Sequence, residues 1–238
     1  MIGSNRLGKT DWLTYDNAMF AKGMHPTQRT PKNARLWITV LKNDMVDTVL
    51  YPKFAEKLGP KRGGKSWEYN DNKKTFFVNV GPYNWSEIQI KSQEAGRGSF
   101  ESATVHRLSF DEQPMEEIFD SALVRVIDTG GQVLMAATMW EEGISWVYDR
   151  FILPFKESGG RHPDIEFVGG RMKDNLVLDP KNIDEYNRAL SLKNPEEARV
   201  RVEGEMIPLS GKCPFNIQAL MRYNDEKQKG REVDFAFN

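Results

Sequence analysis

Gly3-Ser4-Asn5-Arg6-Leu7-Gly8-Lys9-Thr10 stands two residues into the chain and matches the pattern G-x-x-x-x-G-K-[ST] in full. The chemistry behind the pattern is specific. Its glycines let backbone N–H groups curl round the β- and γ-phosphates of a nucleoside triphosphate. Lys9 neutralises charge there, and the Thr10 hydroxyl ligates Mg2+. Ser4, Asn5, Arg6 and Leu7 fill the cradle between the glycines. Such a loop ordinarily joins a buried strand to a helix, and Met1-Ile2 cannot make that strand. Either the chain begins inside a domain or its sheet is built unusually.

Working outward, Thr10 to Ala21 reads as a helix that Lys22-Gly23 and His25-Pro26 stop. Arg35 to Leu41 is a short apolar run rich in β-formers, and Asn43 to Leu58 has helical spacing. The basic stretch 59–65 is a loop, and strand-like runs follow at Thr75 to Val80 and Glu87 to Lys91. Then come a strand at Thr104 to Phe110, a helix at Pro114 to Ile127, a strand at Gln132 to Ala137 and a helix at Ile144 to Phe155. A short run at Ile165 to Val168 precedes two polar helices, Asn182 to Leu192 and Pro195 to Glu203. Alternating strands and helices imply an α/β domain, a mostly parallel sheet flanked by helices and lacking the strand before the phosphate loop. It is expected to span 1–208, with 209–238 as a linker or tail.

Bulk properties bound the function without choosing it. A chain of 238 residues with 39% hydrophobic residues can bury a sizeable core. Its 34 acidic and 33 basic residues nearly cancel, so any nucleic-acid surface has to be local. No apolar run approaches the roughly 20 residues of a membrane span, and no signal peptide precedes the loop. Cys213 is the only cysteine, which excludes an intrachain disulfide. A soluble protein of a reducing interior is expected.

The second chemical element is Leu108-Ser109-Phe110-Asp111-Glu112, a strand ending in two adjacent carboxylates. An Asp at the tip of the strand beside the phosphate loop can hold Mg2+ through water. Glu112 can then orient or deprotonate a water in line with the γ-phosphate. The bland alternative is that Asp111-Glu112 starts a helix, where acidic residues suit the dipole. Kinases must exclude that water, so an Asp-Glu strand end argues for hydrolysis that drives mechanical work.

The phosphate loop, Ser109-Phe110-Asp111-Glu112-Gln113-Pro114 and Gly130-Gly131-Gln132-Val133-Leu134-Met135-Ala136-Ala137-Thr138 together resemble the large terminase subunit of tailed bacteriophages. The resemblance extends through Ile90 to Arg97, Asp174-Asn175, Pro195 to Arg199 and Gly204-Glu205, from Gly3 to about Phe215. It implies a P-loop NTPase of the RecA-like (ASCE) class, whose Mg2+-dependent ATP hydrolysis packages double-stranded DNA into a procapsid. Lys9 and Thr10 would bind phosphate and Mg2+, Asp111 the metal, and Glu112 would be the catalytic carboxylate. Thr138 matches the family's coupling motif, which relays the γ-phosphate state. Met139-Trp140 follow it where the family commonly has Pro; a polar cap at a strand end is the other reading of Thr138. Arg6 is a candidate for stabilising transition-state charge, or else an exposed loop arginine.

The implied partners are non-specifically bound DNA, a portal protein, the terminase small subunit and further copies of the chain in a ring. The implied setting is the host cytoplasm, transiently at the procapsid portal. Arg97 could face nucleotide or DNA, and Lys61-Arg62-Gly63-Gly64-Lys65 could meet DNA phosphates, though solvated surface is the simpler reading of both. His25, His106 and His162 lack ligand spacing, and Trp140, Trp146 and Tyr148 are expected to pack in the core. The family's nuclease domain needs well over about 100 residues, more than follow Phe215. Asp225, Glu226, Glu232 and Asp234 lie in a polar tail, so no DNA cutting is expected. Together with the short lead before the loop, this suggests a remnant or half of a split gene, with nucleotide binding but impaired catalysis as the alternative function.

Overall fold

Five of the six residues of Arg35–Val40 (β1) are buried, as a strand covered on both faces requires. The computed structural model describes residues 1–60, 66–101, 103–140 and 145–207. The basic stretch 61–65, Cys213 and the acidic residues of the 209–238 tail lie outside them. β1 sits within a six-stranded sheet with β2 (Trp67–Asn70), β3 (Thr75–Gly81), β4 (Asn84–Ser92), β5 (Arg107–Asp111) and β6 (Gln132–Ala136). The order is β2-β3-β4-β1-β5-β6. β1 runs parallel to β4 and β5, and β5 runs parallel to β6. β2, β3 and β4 form an antiparallel edge, so the sheet is mostly parallel but mixed.

Two expectations about the sheet change at its other edge. Ile2 forms one parallel bridge with Ala137, just beyond β6. Gly3 N–H donates to Ala137 O at 3.2 Å, while Ile2 and Ser4 N–H donate to Val168 and Gly170 carbonyls, each at 3.0 Å. The lead into the loop is therefore a single bridge threaded between β6 and the 168–170 segment, and it ties those neighbours together. The short run at 165–168 is no strand but carries one of these acceptors. β6 also separates Ile2 from β5, so the strand ending in the acidic pair is not the one beside the phosphate loop. It is one strand further in.

Pleating sorts the core. Leu36, Ile38 and Val40 of β1 pack with Phe20 and Ala21 of helix α1 (Lys9–Ala21) and with Phe54 of α2 (Tyr51–Leu58). Trp37 points to the opposite face, where Leu108 and Phe110 of β5 meet Ile118, Phe119 and Ala122 of α3 (Glu116–Ile127). Glu116 and Glu117 in the first turn of α3 complement its dipole. The expected helix at 144–155 is present in three pieces: α4 (Ser145–Val147), a π-helical turn (Tyr148–Ile152) and α5 (Leu153–Glu157). A second π turn, Val46–Leu50, leads into α2. Each π turn directly precedes a helix with proline at its start, Pro52 and Pro154. The wider turn makes room for a ring that clashes with the carbonyl four residues earlier.

Asp179 caps α6 (Pro180–Lys193), accepting from Lys181 N–H, and Asn194 ends α6 while capping α7 (Pro195–Arg201). Among the described residues no helix is long and apolar enough to cross a membrane.

Candidate functional site

The loop enters α1 through two left-handed residues, Arg6 (φ 55°) and Gly8 (φ 91°). A Cβ on Gly8 would meet nothing within 4 Å, so its backbone angle rather than space calls for glycine. Lys9 follows as the first residue of α1 and is only 7% exposed. Its Nζ donates to Ser4 O at 2.8 Å and to Thr138 Oγ1 at 2.6 Å. Thr10 Oγ1 donates to Asp111 Oδ1 at 2.8 Å. The loop is thus joined by side chains to the ends of both β5 and β6.

Glu112 lies just past β5 with φ 70°. For a residue with a Cβ this conformation costs roughly 1–2 kcal/mol. Glu112 follows a strand residue directly, so that two consecutive carboxylates act electrostatically on Lys9. Glu112 N–H donates to Ala136 O at 2.8 Å, and Glu112 Oε2 accepts from Thr138 N–H at 3.1 Å. Lys9, Thr138 and Glu112 therefore form one chain of contacts, with Thr10–Asp111 beside it. Thr138 is a polar residue at a strand end, and both its hydroxyl and its amide face the site.

Burial sets the electrostatics. It lowers the Lys9 pKa, with Glu112 and Asp111 opposing the shift. It raises that of Asp111 above the usual carboxylate range, against the Thr10 hydrogen bond and the Lys9 charge. A carboxyl with a raised folded-state pKa destabilises increasingly as pH rises above its unfolded-state value, and fully above the folded-state one, because the unfolded chain ionises more easily. Asp111→Asn is therefore expected to raise Tm at pH 7. The gain should shrink as pH falls toward the acid side of the folded-state pKa, which thermal melts across pH 4 to 8 would show.

Several supports come from residues whose contacts the motifs do not specify. Asn5 N–H donates to Arg201 O at 2.7 Å, and Asn175 Nδ2 donates to Arg6 O at 2.6 Å. Gly204 (φ 69°) packs so tightly that a Cβ there would lie 2.4 Å from Gly170 O and 2.9 Å from Ser4 N. The 168–205 segment is thereby pressed against the back of the loop. Further along α1, Asp16 accepts from the buried Arg107 of β5, and Ser109 Oγ donates to Asn17 Oδ1 at 3.1 Å. Arg107, Ser109 and Asp111 alternate on one face of β5, all against α1. That polar alternation is the sequence signal that could have found them.

The structure places the other candidate residues outside this chain of contacts. Arg6 is exposed and lines a cavity with residues of α6. Arg97 pairs with Glu101 at 3.2 Å on the surface. His25 Nε2 contacts Asp16 Oδ1 at 3.0 Å, and His106 Nδ1 accepts from Arg35 N–H at 3.0 Å. His162 Nδ1 accepts from Asp164 N–H at 3.2 Å. Trp146 packs on Phe119 and Phe151, and Trp140 and Tyr148 lie against the cluster around Ile2, Val147 and Ile152. Within the segment leading toward the acidic pair, Gln93 Oε1 accepts from Met115 N–H at 3.2 Å, which steadies the start of α3.

Among solved structures, the large terminase of a thermophilic bacteriophage superposes with a TM-score of 0.67 at 14% identity, over 86% of this chain and 47% of that one. The HK97 bacteriophage large terminase gives 0.64 at 13% identity, over 86% and 46%. The fold is that of the superposed half of the large terminases. The thermophilic phage's large terminase in complex with ADP shares it, with a TM-score of 0.62 at 15% identity, over 84% of this chain and 46% of that one. The chain thus spans about half the length of the terminases it matches. No family model matches the sequence, and no curated protein does. The terminase fold is carried here by a sequence that shares few residues with those terminases.

Proposed function

We propose that this chain binds ATP at the Gly3–Thr10 loop and hydrolyses it to move double-stranded DNA, as the ATPase portion of a packaging motor. The carrying observation is the convergence of Lys9, Thr10, Asp111, Glu112 and Thr138 on one phosphate loop within a terminase fold. The ADP complex of a structural neighbour supports nucleotide as the ligand. Thr10 Oγ1 and the Asp111 carboxylate supply two oxygen donors at 2.8 Å from each other, a set suited to Mg2+ that keeps waters and takes its other ligands from phosphate. Bound there, Mg2+ would neutralise charge on the phosphates.

In this reading Lys9 binds the phosphates, and Glu112 accepts a proton from the attacking water. Loss of γ-phosphate would be felt at Thr138, because that residue touches both Lys9 and Glu112. Non-specific DNA, a portal protein, a small subunit and a homo-oligomeric ring in the host cytoplasm complete the proposal.

Phosphate release from the purified chain, measured with and without double-stranded DNA and a small-subunit partner, tests it. Mg2+-dependent release accelerated by DNA is the expected result. Nucleotide binding without turnover would favour the catalytically impaired alternative, and no nucleotide binding would overturn both.

A further inference from the structure

Beside the loop, on the side away from the acidic pair, lies an open cavity of about 610 Å³. It is lined by the apolar Met172, Leu178 and Ile183 and by the polar Asn5, Arg6, Asp179, Asn182 and Tyr186. Met172 and Ile183 are buried, and Tyr186 is 40% exposed. The volume falls within the range of small-molecule sites, which combine apolar walls with a few polar groups. The catalytic contacts use none of these residues except through the loop itself.

The placement of this cavity follows from the sheet. The lead into the loop runs between Ala137 on one side and Val168–Gly170 on the other. Lys9, Thr138, Asp111 and Glu112 gather on the β5–β6 side. The 172–186 residues continue from the opposite side, and Asn175 Nδ2 fastens them to Arg6 O at 2.6 Å. A nucleoside triphosphate is an extended molecule. With its terminal phosphate at Lys9 and Glu112, its nucleoside end must leave the loop elsewhere, and the large cavity bordered by loop residues is here.

We infer that the cavity between the phosphate loop and α6 holds the nucleoside moiety, with Tyr186, Met172, Leu178 and Ile183 against the base. The inference rests on the proposed nucleotide-binding function and adds the part of the chain that would recognise the base. A base presents an aromatic face that a tyrosine ring and apolar side chains accommodate. Asn182 offers both a donor and an acceptor to its edge. Arg6, which lines the cavity, would then lie beside the nucleoside rather than serve the γ-phosphate.

Titrations with ATP and with inorganic tripolyphosphate test this, because the second ligand has phosphates but no nucleoside. Tyr186→Ala and Asn182→Ala alter half-exposed or exposed positions on α6, and circular dichroism melts would verify their folding. Each is expected to weaken ATP by about tenfold, the scale of one lost base-stacking contact, and to leave tripolyphosphate within about twofold. Lys9→Ala should weaken both ligands alike. Full ATP affinity in both α6 variants would overturn the inference while leaving nucleotide binding intact. Binding of neither ligand by the unaltered chain would overturn the underlying function and this inference together.

Discussion

Glu112→Gln is expected to reduce ATP turnover by about 10²- to 10⁴-fold, the usual contribution of a positioned general base, while leaving nucleotide affinity nearly intact. The substitution is chosen for what it preserves. Gln keeps an Oε that can accept the Thr138 N–H, now bonded to Glu112 Oε2 at 3.1 Å, and keeps the same Cβ at φ 70°. It removes only the carboxylate's charge and basicity. Lys9 would lose one of the two charges that oppose its desolvation, so its pKa should move further down. Single-turnover phosphate release with equilibrium ATP binding separates the effects. Unchanged turnover in a folded variant would remove Glu112 from the chemistry and leave its contact with Thr138 as a structural clasp.

The largest stability effect is expected behind the site, at Arg107. This side chain is fully buried in β5, with one guanidinium nitrogen on Asp16 and its carbon 4.8 Å from the centre of the Phe20 ring. Its Nε and Nη1 have no hydrogen-bond partner among the described residues. A buried ion pair is expensive to form and more expensive to break from one side, by about 3–5 kcal/mol. Arg107→Met is expected to cost that much, or roughly 10 °C in Tm for a domain of this size, because it strands Asp16 against His25 and a newly apolar wall. Asp16 is 17% exposed, so Asp16→Asn should cost less. The double variant Arg107→Met with Asp16→Asn should recover most of the loss, since both charges are then gone. Urea unfolding of the parent, both single variants and the double variant gives the coupling directly. An additive double variant would mean that Arg107 acts through its packing on Phe20 alone.

The elements that can be read from sequence are those in which local and global signals agree. The glycines and Lys9-Thr10 fix the loop, and α1 follows from it. The apolar runs at β1, β5 and β6 are long enough to stand out. β2 escapes a sequence reading because Trp67-Glu68-Tyr69-Asn70 is four residues at an antiparallel edge, where only pairing with β3 makes it a strand. The residues brought together at the site are legible as motifs, but their order across the sheet is not. Nothing local in Asp111 or Ile2 reveals that β6 passes between them, since that depends on the crossover connections. In the 168–205 segment the resemblance marks Asn175 and Gly204, but the contacts they and Arg201 make with the loop leave no periodic trace.

The pairing of α1 with β5 has a mechanical consequence. The helix runs against the strand and is bolted to it three times, by Thr10 to Asp111, Asp16 to Arg107 and Asn17 to Ser109. Contacts at three points along their length oppose sliding of the helix on the strand. In the packaging motor proposed above, that pair would be the fixed element. Its displacement would be taken up at the end of β6 around Thr138, and in the 168–205 segment, which holds the loop through backbone hydrogen bonds and the Asn175 side chain.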